Sequence, residues 1–187
     1  SPDGAEYAET KRRRIIAINN AYEPMPRADI AYFADASWHE QHKARAPFMA
    51  FAGQKCSIEQ TGDQIDDADV HLLRNDSRGG SFEGGLSKNP NALRTGGNSG
   101  YQALGLAIAA GAGRVILMGY DMHFPDGKSH WHGGHKFATG ESLYKTAFCR
   151  AFLELAPTCP VEVWNASPVS LLTCFPFKEL SECLSHT

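Results

Sequence analysis

Four of the eight histidines in this 187-residue chain, His123, His130, His132 and His135, fall within thirteen positions. The spacing H-x-H-x-x-H could hold a transition metal, with Asp121 or Asp126 as a further ligand. An imidazole also titrates near neutral pH, so one of the four could instead act as a general base or acid. A third reading is an ordered loop whose histidines and Trp131 pack and bond to the backbone. Gly133 and Gly134 let the chain carry His132 and His135 toward a ligand, and these two lead as catalytic candidates. No cysteine stands nearby to define a zinc site, so the identity of any metal is open.

Upstream lies a second chemical feature, Thr95-Gly96-Gly97-Asn98-Ser99-Gly100. The two glycines permit a backbone that closely approaches a ligand, and Asn98 or Ser99 can cap a following helix. The N–H groups of such a turn suit a phosphate. Ser99 has no G-x-S-x-G elbow around it, which favours capping over nucleophilic attack. Arg74 and Arg94 flank the glycine-rich stretch, as phosphate clamps or as surface arginines.

These residues need elements to position them. Tyr101 to Ala110 reads as a small-residue helix closed by Gly111 to Gly113, and Arg114 to Met118 as a strand covered on both faces. Asp121 follows that strand, as a ligand-edge carboxylate or the cap of a turn. Arg14 to Ile18 and Ile30 to Ala34 are further strands, ending at Asn19-Asn20 and Asp35. Asn19 could bond a base or ribose, or cap a turn. Between them Glu23-Pro24-Met25-Pro26 is a connector. Ser37 could cap a short helix carrying Trp38, His39 and His42.

Phe48 to Ala52 is a third apolar run, followed by the weakly alternating KCSIEQ. Val70 to Leu73 is another strand, and residues 77 to 97, with six glycines, read as a loop. Gly140 to Ala156 reads as an amphipathic helix and Val161 to Trp164 as a final strand, ending at Asn165-Ala166-Ser167. A short helix near Lys178 to Leu184 closes the chain. Strands alternating with helices predict a Rossmann-like three-layer α/β/α domain with a mostly parallel sheet. Parallel strands would bring Asn19, Asp35, Asp121, Asn165 and Ser167 to one edge.

Composition narrows the function classes. Hydrophobic residues at 42% and charged residues at 21% fit one globular domain over residues 1–187. A net charge of −3 gives no case for nucleic-acid binding, and the basic run Lys11 to Arg14 reads as a solvated helix end. Five widely spaced cysteines favour reduced thiols and a cytoplasmic setting. No apolar run approaches the roughly 20 residues of a membrane span.

The pattern N-S-G-Y-Q-A-L-x-L-A-x-x-x-G-A-x-R-V-I-L-M-G-Y-D-M, then H-W-H-G-G-H and a late N-A-S-P-x-S, resembles small phage and prophage proteins. That group is similar to the bacterial sialyltransferases of glycosyltransferase family 42 and to the archaeal 6-hydroxymethylpterin pyrophosphokinases with their flagellin-glycosylation relatives. The resemblance implies that Asn19 contacts the nucleotide, with Asp35 standing where the sialyltransferases carry a second asparagine. It implies that Asn98, Ser99 and Gly100, beside Gly97, hold the donor. It places His123 where the sialyltransferases hold donor phosphate with a tyrosine, His135 at the catalytic histidine, and Asn165 and Ser167 near the donor. Those families open with a strand and a G-x-G-P-S loop. Ser1 fits the last residue of that loop, so the domain is expected to lack the usual first strand.

The resemblance implies a nucleotide-dependent transferase acting on a small-molecule or glycan acceptor. Its donor would be a CMP-sugar or other nucleotide sugar, with His135 or His132 as general base and Asp121 nearby. An alternative is an ATP- and Mg²⁺-dependent pyrophosphokinase using Asp121 and Asp35 as metal ligands. A non-catalytic nucleotide- or protein-binding protein is the third expectation.

Overall fold

The computed structural model of the chain describes residues 13–60, 62, 64–80, 82–123 and 144–185. His130, His132, His135, Asp126 and Trp131 lie outside the described residues, as do Ser1, Gly133 and Gly134.

The chain opens with β1 (Ile16–Ile18), a 3-10 turn (Asn19–Tyr22) and β2 (Ile30–Tyr32). Helices α1 (Ala36–His42) and α2 (Ala46–Met49) lead to β3 (Gln54–Ile58), β4 (Val70–Asn75) and β5 (Ala92–Leu93). Helix α3 (Ser99–Ala109) then connects to β6 (Arg114–Leu117). A π turn (Tyr144–Phe148) runs into α4 (Cys149–Leu155), followed by β7 (Glu162–Asn165) and α5 (Leu180–Ser185).

Every strand pair is parallel, as the apolar runs joined by helices require, and the architecture is a Rossmann-like α/β fold. The described strands form two sheets, one of five strands in the order β1-β2-β3-β4-β5 and one pairing β6 with β7.

Three readings of local structure change. The run Phe48 to Ala52 begins in α2, whose early Pro47 fixes a helical φ, and the third strand starts only at Gln54. A Cβ at Gly53 would overlap the Ala28 carbonyl, which is why this turn into β3 takes glycine. The segment from residue 77 to 97 contains β5, too short to announce itself by periodicity. Ser37 is not the cap of α1, because Asp35 occupies the N-cap and makes no side-chain cap bond.

Side-chain alternation builds the core. Ala17, Ala31 and Phe33 point to one face of the larger sheet, where they pack with Trp38, Phe48 and Val70. Ile16, Ile18, Ile30 and Tyr32 point to the other, against Ala103 and Leu106 of α3. A third cluster joins Tyr101 and Leu104 of α3 to Leu117, Val163, Phe152 and Leu155. Fully burying one such aliphatic or aromatic side chain stabilises the fold by roughly 1.5–3 kcal/mol.

Two buried histidines belong to the first cluster and are held by polar partners. His39 Nε2 meets Asp67 Oδ2 at 2.9 Å, and His42 Nδ1 meets the Tyr22 hydroxyl at 2.9 Å. All five cysteines are free thiols, and burial pushes those of Cys56 and Cys174 up to about 11. No helix among the described residues is long and apolar enough to cross a membrane.

Candidate functional site

Two tyrosines fix where the carboxyl edges of the two sheets meet. At the end of β2, the Tyr32 hydroxyl donates to Gln102 Oε1 (2.9 Å), and Gln102 Nε2 donates to the Thr95 carbonyl (3.1 Å). Just past β6, the Tyr120 hydroxyl donates to the Gly100 carbonyl (2.9 Å). Both sheets therefore present their carboxyl ends to the N-terminus of α3. The chain winds outward from β1 to β5 and returns through α3 to β6, so the strand order reverses at this place. Ligands of open α/β sheets bind in the crevice at such a reversal.

The helix start is capped by a side chain. Asn98 is the N-cap, its Oδ1 accepting from the Tyr101 N–H at 2.8 Å, which decides between Asn98 and Ser99. The Gln102 N–H bonds the Asn98 carbonyl (3.3 Å). The N–H groups of Ser99 and Gly100 begin the helix, where no intrahelical acceptor exists, and they stand at its positive end.

The side of each glycine where a Cβ would stand is filled by an aromatic ring. Gly96 and Gly97 have φ of 52° and 81°, in the left-handed region. A Cβ at Gly96 would overlap the Tyr101 ring, and one at Gly97 the Phe82 ring. Their close approach is thus to aromatic side chains of the protein itself.

Asn19 also has a left-handed backbone, φ 50°, at the first position after β1. Its Oδ1 is buried without a hydrogen-bond partner among the described residues. Such an atom carries a desolvation penalty of about 1–3 kcal/mol until it accepts a hydrogen bond. Its neighbour Asn20 is committed, accepting from Trp38 Nε1 at 2.7 Å.

Other expected site residues are held by the fold. Asn165 is buried, with Oδ1 accepting from the Ser167 N–H (3.1 Å) and Nδ2 donating to the Leu172 carbonyl (3.2 Å). Ser167 Oγ accepts from the Tyr120 N–H (3.0 Å). Together they tie the end of β7 to that of β6. Asp121 follows, half-buried, its carbonyl accepting from the Leu171 N–H (2.9 Å). His123 donates Nε2–H to the Val169 carbonyl at 2.7 Å, leaving Nδ1 as the nitrogen for any ligand. Asp35 is exposed, at the start of α1 beyond β2.

The two arginines do not join this group. Arg94 is paired with the Glu83 carboxylate and would have to leave it to clamp a phosphate. Arg74 is exposed near the end of β4, three strand positions from β1. Among the described residues, no group of three or more His, Cys, Asp or Glu side chains could hold a metal.

Tyr120 and Gln102 are the residues that reasoning from sequence passed over. Each follows or sits within an apolar segment, and only the tertiary contact reveals its polar role. Along the carboxyl edge lie the N-terminus of α3, an Asn19 Oδ1 with no hydrogen-bond partner among the described residues, and the Asp121 carboxylate. No protein-family profile, curated protein or solved structure matches this chain.

Proposed function

We propose that the chain is a nucleotide-dependent transferase, a sialyltransferase-like glycosyltransferase that uses a nucleotide-activated sugar. The observation that carries the reading is the coincidence, at the carboxyl edge, of the Ser99 and Gly100 N–H groups with an Asn19 Oδ1 that has no partner among the described residues. The helix end suits a donor phosphate, and Oδ1 suits an N–H or hydroxyl of the base or ribose. His135, or failing that His132, takes the proton of the acceptor hydroxyl. The new bond forms from that oxygen to the sugar as the bond from sugar to phosphate breaks and the nucleotide departs with its electron pair. His123 through Nδ1, once protonated, and the α3 N–H groups stabilise the departing phosphate.

The test is a thermal-shift panel of CMP, CDP, UDP, GDP and ATP, each with and without Mg²⁺. A ligand at 100 times its dissociation constant adds about 2.7 kcal/mol to stability. A metal-independent shift with CMP or a nucleoside diphosphate is expected. Asn19→Gly, which keeps the left-handed backbone, should preserve the melting point of the free protein and abolish the shift. A shift confined to ATP with Mg²⁺ would replace sugar transfer by pyrophosphate transfer, and no shift with any nucleotide would end the reading.

A further inference from the structure

The carboxylate of Glu83 is held in the way a bound anion would be. Its Oε2 accepts from the consecutive N–H groups of Arg78 and Gly79, and its Oε1 is paired with Arg94 Nη1. Successive backbone N–H groups aimed at one oxygen form an anion-binding concavity, and a guanidinium beside them adds the donor best suited to a phosphate. A Cβ at Gly79 would stand 3.3 Å from Glu83 Oε2, so glycine leaves the anion its room.

The sheet fixes where these donors stand. Arg78 and Gly79 come a few residues past the end of β4, and Arg94 directly follows β5. Bonds between the two strands continue beyond both ends: the Asp76 N–H donates to the Leu93 carbonyl (2.9 Å), and Ser77 Oγ accepts from the Thr95 N–H (2.9 Å). The donors therefore gather at the carboxyl ends of two neighbouring parallel strands, the edge at which α/β sheets bind ligands. Glu83 reaches them from the returning loop, its N–H donating to the Gly80 carbonyl (3.2 Å) and its carbonyl accepting from the Gly96 N–H (3.0 Å).

Glu83 fills this place incompletely. Both of its carboxylate oxygens are committed, yet Arg94 Nε is buried with no hydrogen-bond partner among the described residues. Solvent reaches the pair, since the side chains of Arg94 and Glu83 are 26% and 23% exposed, and ion pairs open to water are weakly held and screened by salt. Glu154, whose carboxylate approaches Gly84, is engaged by Arg150 Nε (2.7 Å).

We propose that the Arg78 and Gly79 N–H groups and Arg94 form a phosphate site, that Glu83 occupies it as an internal stand-in, and that a phosphate group displaces Glu83 on binding. A phosphate group brings a charge of about −1.5 to −2 near neutral pH and at least three acceptor oxygens, against one charge and two oxygens for the carboxylate. It can serve both N–H groups and Nη1 and still hold an oxygen for Nε, while the expelled carboxylate is rehydrated. The stand-in weakens the apparent affinity by the fraction of molecules in which Glu83 is already out of the site. None of these residues takes part in the nucleotide reading, so the two proposals stand or fall separately.

The test is two-dimensional amide NMR of the full chain, titrated with inorganic phosphate and with glycerol phosphate at an ionic strength held constant with sodium chloride. Wild type is compared with Glu83→Gln, which keeps the size of the side chain and removes its charge, and with Glu83→Ala, which removes the stand-in altogether. The Arg78 and Gly79 amide signals should move saturably in the wild type, and at a phosphate concentration at least about tenfold lower in both variants. Adding Arg94→Met to either variant should weaken binding by about tenfold or more. Tighter binding of glycerol phosphate than of inorganic phosphate would assign the site to a phosphate ester, and equal or weaker binding to the free ion. The proposal is overturned if neither anion moves the two amides, if sodium chloride alone moves them equally, if neither Glu83 variant binds phosphate more tightly than the wild type, or if Arg94→Met leaves the affinity unchanged.

Discussion

The Tyr120 hydroxyl donates to the Gly100 carbonyl across 2.9 Å, linking a residue three positions past β6 to the first turn of the helix that precedes that strand. Burial pushes the Tyr120 phenol well above its ordinary range, so it remains a donor at any working pH. The same ring lies 3.0 Å from where a Gly100 Cβ would stand. Tyr120→Phe keeps the packing and leaves the carbonyl without this donor. We expect a loss of about 1 kcal/mol by urea denaturation. Unchanged stability would mean that water replaces the bond without cost.

Asn98→Ala removes the acceptor for the Tyr101 N–H. The expected cost is about 1 kcal/mol, measured from the denaturation midpoint, and Asn98→Asp should recover most of it. If alanine and aspartate behave alike, the cap does not hold this helix.

Gly96→Ala adds a Cβ at φ 52° against the ring of Tyr101, which is itself pinned by its hydroxyl donating to the Gly85 carbonyl (2.8 Å). Backbone strain and overlap together should cost about 2–4 kcal/mol. Gly113→Ala, where a Cβ meets nothing, is the matched control and should change stability little. A mild effect at Gly96 would show that Tyr101 can yield.

Asp67 is held below the ordinary carboxylate value of 3.8, first by the Asp69 N–H and then, against the opposing effect of burial, by His39. A carboxylate with a depressed folded pKa stabilises the protein above its unfolded value and loses that contribution as pH falls through the lower folded value. Wild-type stability should therefore drop on acidification below about pH 4. Asp67→Asn should be less stable at pH 7 and show a shallower fall across that window in urea titrations. Parallel pH profiles for the two proteins would remove Asp67 from the acid response.

Local pattern alone determined much of this protein. The apolar runs at Ile16, Ile30, Val70 and Arg114 announce parallel strands because a strand covered on both faces needs no polar alternation. Asn98 before a small-residue helix announces a cap because the residues it serves are two and three positions away. What a long-range partner decides was hidden. Asn165 and Ser167 look like ligand-edge residues, yet they bond each other, Leu172 and the Tyr120 backbone. Arg94 looks like a phosphate clamp, yet Glu83 takes it. Gly96 and Gly97 look open, yet two rings fill the space. Only the tertiary structure divides the strands into two sheets and leaves Asn19 Oδ1 unpaired among the described residues. The reason is physical: a hydrogen bond or a ladder needs both of its partners in place, and where they lie far apart in the chain only the folding of the whole brings them together.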